Sequence, residues 1–167
     1  MFEVKVNTDE LDRYLGGIIG RLDNPEPLMA KISTELVSES EQQFRDEKES
    51  DGKPWPDLAP STKEWRRKKG KEKNRKLQVS GALASSVQGY HNKTEAGVLA
   101  GSADSEDYAA IHLFGGEAGR INSRVLIPAR RYLPIKGDPD NAELSDSVSQ
   151  ALLILAKDYF SDGLHSD

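Results

Sequence analysis

Apolar positions along this chain change period repeatedly, and each change marks an element. Phe2, Val4 and Val6 alternate with polar residues, the pattern of a short half-buried strand. Thr8 then offers an N-cap with Asp9 and Glu10 in the first turn, and Leu11, Leu15, Ile18, Ile19 and Leu22 recur at helical spacing. Gly16 and Gly17 weaken that helix or mark a close contact. Asn24-Pro25 restarts the chain and predicts a second helix with Pro25 near its first position. Its stripe is Leu28, Ile32, Leu36 and Phe44, interrupted by Ser40. Both stripes are expected to face a core, with a subunit interface as the alternative for either.

Residues 46–60 lose this periodicity. Pro54, Pro56 and Pro60 surround Trp55, which predicts a polar loop anchored by one aromatic. Ser61 or Thr62 can cap a short helix that holds Trp65. Residues 77–87 read as another short helix, capped by Ser80, with Leu83 and Val87 inward. Residues 87–91 and 96–101 predict an antiparallel pair that turns at Asn92, Lys93 and Thr94. Residues 107–114 read as a short helix or turn ended by Gly115 and Gly116. Residues 125–127 and 132–135 are further strand candidates, and Pro128 sets a bend between them. Leu144, Val148, Leu152, Leu155 and Tyr159 define a last amphipathic helix, begun near Asp140 and stopped by Gly163. This order predicts an α+β fold: a single domain over residues 1–167, with N-terminal helices and a C-terminal helix packed on a small, mainly antiparallel sheet.

Charge adds a second layer. The net charge is -5, yet residues 61–76 hold nine Lys or Arg against two Glu, a balance of +7. Residues 1–50 hold six Lys or Arg against twelve Asp or Glu, a balance of -6. Prolines leading into like charge predict a mobile segment over residues 46–76. Arg66, Arg67, Lys68, Lys69, Lys71, Lys73, Arg75 and Lys76 form a candidate patch facing a partner or DNA. The bland alternative is a solvated connector. Arg120, Arg124, Arg130 and Arg131 make a second basic cluster. A nucleic-acid-binding module on residues 63–76 is the alternative function. Net negative charge and the lack of aromatics beyond Trp65 oppose it.

The absence of cysteine excludes disulfides and thiolate metal sites. His91, His112 and His165 are far apart and show no HExxH spacing, so no metal or cofactor is expected. No apolar run suits a membrane span, the first residues do not read as a signal peptide, and folding in a cytoplasm is expected. His112 is the one histidine in an apolar run, YAAIHLFGG. Catalysis there would need a nucleophile and an orienting acid; Ser102 and Asp107 are near in sequence, but no spacing selects them. No catalytic residue is assigned.

Four stretches in order carry a family resemblance: DGKPWPDLAPSTKEWRRKK at 51–69, LQVSGALASSV at 77–87, YAAIHLFGG at 108–116 and IPARRYLPI at 127–135. Together they resemble the phage virion morphogenesis family, the tail-completion proteins of Mu-like contractile-tailed phages and prophages. The resemblance spans about residues 28–155. It departs at Gly81-Ala82-Leu83, where the family pattern usually has an arginine in the middle. It implies a non-enzymatic component of the virion, acting at the head–tail junction or tail end and assembled in the host bacterial cytoplasm. Expected partners are phage tail or connector proteins and other copies of the chain in a ring, with a monomer in isolation and DNA contact secondary. It also implies a structural corner of Tyr108, His112, Phe114, Gly115 and Gly116, with a histidine ring nitrogen bonded to backbone.

Overall fold

A computed structural model describes residues 9–101, 106–119 and 124–161. The expected first strand and the Thr8 cap lie outside these residues. The elements run α1 (Asp9–Asp23), α2 (Glu26–Asp46), α3 (Pro60–Lys68), α4 (Ala82–Ser85), β1 (Gln88–His91), β2 (Ala96–Leu99), α5 (Glu106–Phe114), β3 (Gly116–Ala118), β4 (Val125–Ile127), β5 (Ile135–Lys136), β6 (Glu143–Leu144) and α6 (Asp146–Ser161). The α+β class holds, but the expected sheet is three separate antiparallel ribbons, β1–β2, β3–β4 and β5–β6.

Helix α2 is the spine. Its inward face is Leu28, Ser33, Leu36, Ser40, Gln43 and Phe44, and it packs against the β1–β2 ribbon and against α6. The serines explain why the apolar stripe is broken. Ser40 is fully buried and donates to the Leu36 carbonyl at 3.0 Å, and Ser33 donates to the Gly97 carbonyl of β2 at 3.2 Å. A Cβ on Gly89 of β1 would run into the Ser33 hydroxyl, so helix and ribbon touch through small residues.

The core gathers Phe44, Trp55, Leu77, Leu83, Ala109, Leu113 and Tyr132 from five parts of the chain. Phe44 meets the Trp55 ring edge-on at 5.6 Å and the Tyr132 ring at 5.3 Å. Both polar handles are satisfied: Trp55 Nε1 donates to the Arg131 carbonyl at 2.9 Å, and Tyr132 Oη donates to the Ala109 carbonyl at 2.7 Å. Burial pushes the Tyr132 hydroxyl pKa up, so it stays a donor.

Several expected elements shift. The short helix of 77–87 shrinks to α4, because Leu77 takes a positive φ of 59° to turn into the core. Residues 132–134 form no strand: the Tyr132 side chain and Pro134 are spent on burial, and only Ile135 and Lys136 pair, with β6. Leu144 therefore belongs to β6, and α6 starts at Asp146. The α6 stripe of Val148, Leu152, Leu155 and Tyr159 is buried to half-buried as expected. The α1 stripe is not: Leu15, Ile19 and Leu22 are 46%, 57% and 60% exposed.

Trp55→Phe removes an indole donor while keeping an aromatic ring. The Arg131 carbonyl then loses its partner in a part-buried site, for a loss of about 1 kcal/mol. Urea unfolding followed by circular dichroism measures this; an unchanged midpoint would mean that the hydrogen bond carries no stability.

Candidate functional site

The segment 46–60 is a hairpin-like turn rather than a free loop. Lys48 bridges to Pro54, the Glu49 amide donates to the Lys53 carbonyl at 2.8 Å, and the Trp55 amide donates to the Glu47 carbonyl at 2.8 Å. The IPARRYLPI stretch holds it from the other side. Arg130 Nε donates to the Pro56 carbonyl and its Nη2 to the Asp57 carbonyl, both at 2.9 Å. Arg131 reaches Glu49 at 3.4 Å and the Gly137 carbonyl at 2.9 Å. These two members of the second basic cluster are structural. Arg124 instead pairs with Glu117 on the surface at 2.9 Å, and Arg120 lies outside the described residues.

The first basic patch also divides. Arg66, expected to face a partner, is only 4% exposed; its Nη1 donates to the Asn74 carbonyl at 2.5 Å and the Arg75 carbonyl at 3.2 Å. Arg75 donates to the Arg45 carbonyl. Lys76 pairs with Glu47 at 3.1 Å and donates to the Trp55 carbonyl at 3.3 Å. In physical terms, a loop without secondary structure exposes many carbonyls, and these cations satisfy them. Arg67 and Lys68 stay outside on Glu64, at 2.7 and 3.5 Å. Lys69, Lys71 and Lys73 are exposed, with the Lys71 ammonium 5.9 Å from the centre of the half-exposed Trp65 ring.

The expected corner residues run from α5 to the start of β3. Tyr108 and His112 meet edge-on at 4.4 Å along α5, and Phe114 packs against the core. Gly115 has φ +79°, and a Cβ there would sit 2.8 Å from the Ala129 amide nitrogen. Gly116 has φ +148° and begins β3. The expected ring-to-backbone bond is absent: His112 Nδ1 is buried without a partner, and it is the backbone carbonyl of His112 that accepts, from the Arg130 amide at 2.8 Å. Tyr108 is 50% exposed, so the corner is an open wall rather than a closed packing unit. Burial, and then the Arg130 charge, hold the His112 pKa below its usual 6.5. Ser102 and the Asp107 side chain lie outside the described residues.

These pieces enclose a groove of about 730 Å³ between α3, α4, α5 and the β3–β4 ribbon. Its apolar lining includes Trp65, Leu83, Tyr108, Val125, Leu126 and Ile127. Arg66, His112 and Arg130 are its basic members, and among the described residues no acid lines it. Sequence reading missed this site because its walls come from four separate stretches. The one legible signal was the pair of exposed apolar residues in the short strand Val125–Ile127, where Val125 is 55% and Leu126 74% exposed. Among the described residues, no group of three or more His, Cys, Asp or Glu could hold a metal ion, and no helix is long and apolar enough to cross a membrane.

A chain whose side-chain chemistry is spent on tying loops, and whose groove is walled by exposed apolar residues, has the character of an assembly component. Comparison with known proteins agrees. Residues 6–153 match the model of the phage virion morphogenesis family, and the chain belongs to that family. It is 28% identical over 158 residues to the Mu-like prophage FluMu G protein 2 of Haemophilus influenzae strain Rd, covering 94% of this chain and 100% of that protein. No solved structure matches. The chain is a phage structural or assembly protein of the virion morphogenesis class.

Two outcomes follow from the geometry. Gly115→Ala forces a side chain into the left-handed region and against the Ala129 backbone, and costs at least about 1–2 kcal/mol in a denaturant titration. His112 carries a depressed pKa, so between its folded and unfolded values the unfolded chain binds the extra proton. Its contribution is neutral above about 6.5 and destabilising as pH falls below that. His112→Leu, which leaves no ring nitrogen unpaired, is therefore expected to fold as stably as the wild type at pH 7. It should also lose less stability than the wild type between pH 7 and pH 5.5. Parallel slopes for the two proteins would show that the ring does not titrate in a buried setting.

Proposed function

We propose that this chain is a non-enzymatic tail-completion or head–tail joining subunit that works as a ring-forming adaptor in the virion. The observation that carries the reading is the distribution of exposed apolar surface in a chain of this family. Leu15, Ile19 and Leu22 on α1, Leu153 and Ile154 on α6, and Val125 and Leu126 on β4 are all at least 46% exposed. Separate apolar faces on different elements suit a subunit that touches more than one neighbour. Phage tail or connector proteins are the partners this role requires. A mobile 46–76 segment fits the reading only between its anchors at Trp55, Arg66 and Lys76, so trypsin is expected to cut first near Lys69–Lys73.

The nucleic-acid reading keeps one supporting observation, the exposed Trp65 with Lys71 over its ring beside Lys69 and Lys73. Arg66 is buried and Lys76 half-buried, while the other cations of residues 61–76 stay exposed; the net charge of -5 is what opposes a tight grip on a polyanion. Replacing Arg67, Lys68, Lys69 and Lys71 with Ser, and keeping Arg66, separates the readings. The variant should fold normally and fail to complement a phage that lacks this subunit, with tails that never join heads. Duplex DNA binding by the wild type should be weak and vanish at modest salt. Tight binding with a steep salt slope that the variant loses would instead make nucleic acid the primary partner.

A further inference from the structure

We infer that the groove between α3, α4, α5 and the β3–β4 ribbon receives helix α1 of a second copy of this chain. The inference rests on the ring-adaptor reading above and supplies its interface.

Three observations select this occupant. The first is shape. A helix seats in a groove through anchors at i, i+4 and i+7, and Leu15, Ile19 and Leu22 have this spacing and stand in solvent. Gly16 and Gly20 flank this face and have open space where a Cβ would be, so another surface can come close to the helix backbone beside the anchors. Helix α1 meets the end of α6 through Arg21, which donates to the Phe160 carbonyl at 3.2 Å and lies 5.7 Å from the Tyr159 ring centre.

The second is charge. Helix α1 carries four acids against two arginines, a net of -2. Among the described residues the groove is lined by Arg66 and Arg130 and by no acid, and it opens beside the +7 segment of residues 61–76. Arg66 is 4% exposed and its Nε has no hydrogen-bond partner, so the groove holds a buried donor without an acceptor. An acidic amphipathic helix suits such a site in both its parts.

The third is direction. Helix α1 joins α2 at its first turn, whereas Phe44 near the last turn of α2 packs on the core whose Leu77 and Leu83 line the groove. The 21 residues of α2 span about 30 Å, and the α1 anchors Leu15, Ile19 and Leu22 stand in solvent rather than in the groove of their own chain. A chain therefore does not fill its own groove, and filling a neighbour's makes a head-to-tail contact of the kind that closes into rings.

The chain has no cysteine, so introduced thiols report the contact cleanly. Ile19→Cys and Leu126→Cys proteins are mixed under mild oxidation, both as purified chain at high concentration and bound to tails. The mixed disulfide is expected to form about tenfold faster than that between Leu126→Cys and an exposed control, Glu41→Cys, because docking raises the local thiol concentration. A chain carrying both Ile19→Cys and Leu126→Cys should give a ladder of covalent oligomers. A mixed pair no faster than the control in either setting overturns the inference, as does Ile19→Cys coupling chiefly to itself, which would mean that α1 pairs with α1. If unmodified chain completes tails and the cross-link is absent, the adaptor reading stands and this contact falls. If unmodified chain fails to complete tails, the adaptor reading falls and the cross-link in purified protein still decides the contact.

Discussion

The three-ring contact of Phe44, Trp55 and Tyr132 is the constraint on which the rest of the structure depends. It joins the last turn of α2, the turn of 47–55 and the stretch before β5 in one place. Large aromatic surfaces are the strongest apolar contribution available to a chain with 7% aromatic residues, and this chain puts three of them together. Their polar atoms are bonded to backbone carbonyls of other segments, so the knot fixes positions as well as burying area. With the knot formed, Arg130 is placed to clasp the Pro56 and Asp57 carbonyls, and the floor of the groove follows from it.

The four sequence stretches that carry the family likeness turn out to be the parts of this one construction. The first gives Trp55 and Arg66, the second Leu77 and Leu83, the third Ala109 and Leu113, and the fourth Arg130 and Tyr132. The periodic elements were legible because burial writes itself into spacing: α2 and the inward face of α6 follow the hydrophobic pattern. Where a stripe exists without an intramolecular partner, the same pattern misleads. Leu15, Ile19 and Leu22 have the spacing of a core face and stand in solvent, since periodicity records that a face is apolar and not which molecule covers it. Arg66 misleads in the opposite sense. Nothing in WRRKKG distinguishes the buried arginine from its exposed neighbour Arg67, because the carbonyls that receive it belong to a loop eight and nine residues on. The groove was illegible for a similar reason, as its walls meet only once the knot has closed.

The division of charge also changes meaning. A local balance of +7 looks like a surface built to attract polyanions, yet its inner members act as substitutes for secondary structure, giving carbonyl partners to a segment with few ladder bonds. What remains outside is a cationic strip of Lys63, Arg67 to Lys73 and Arg75, beside an apolar groove. Attraction at a distance and burial at contact thus lie side by side. Long-range charge can orient an acidic neighbour before apolar surface is committed, and the overall charge of -5 keeps free copies apart until that orientation is met.

The three ribbons have a consequence for the order in which the molecule is made. Each pairs strands that follow one another in sequence, so each closes a short loop, and such local closures are fast. The bond from Trp55 to the Arg131 carbonyl spans 76 residues, and the entropy of that closure is met only after both partners' segments exist. On a ribosome, the sequence up to Ile127 can emerge with its helices and first two hairpins in place while Phe44 and Trp55 still lack Tyr132. The core therefore closes only after the segment beyond Ile127 has emerged and delivered the third ring.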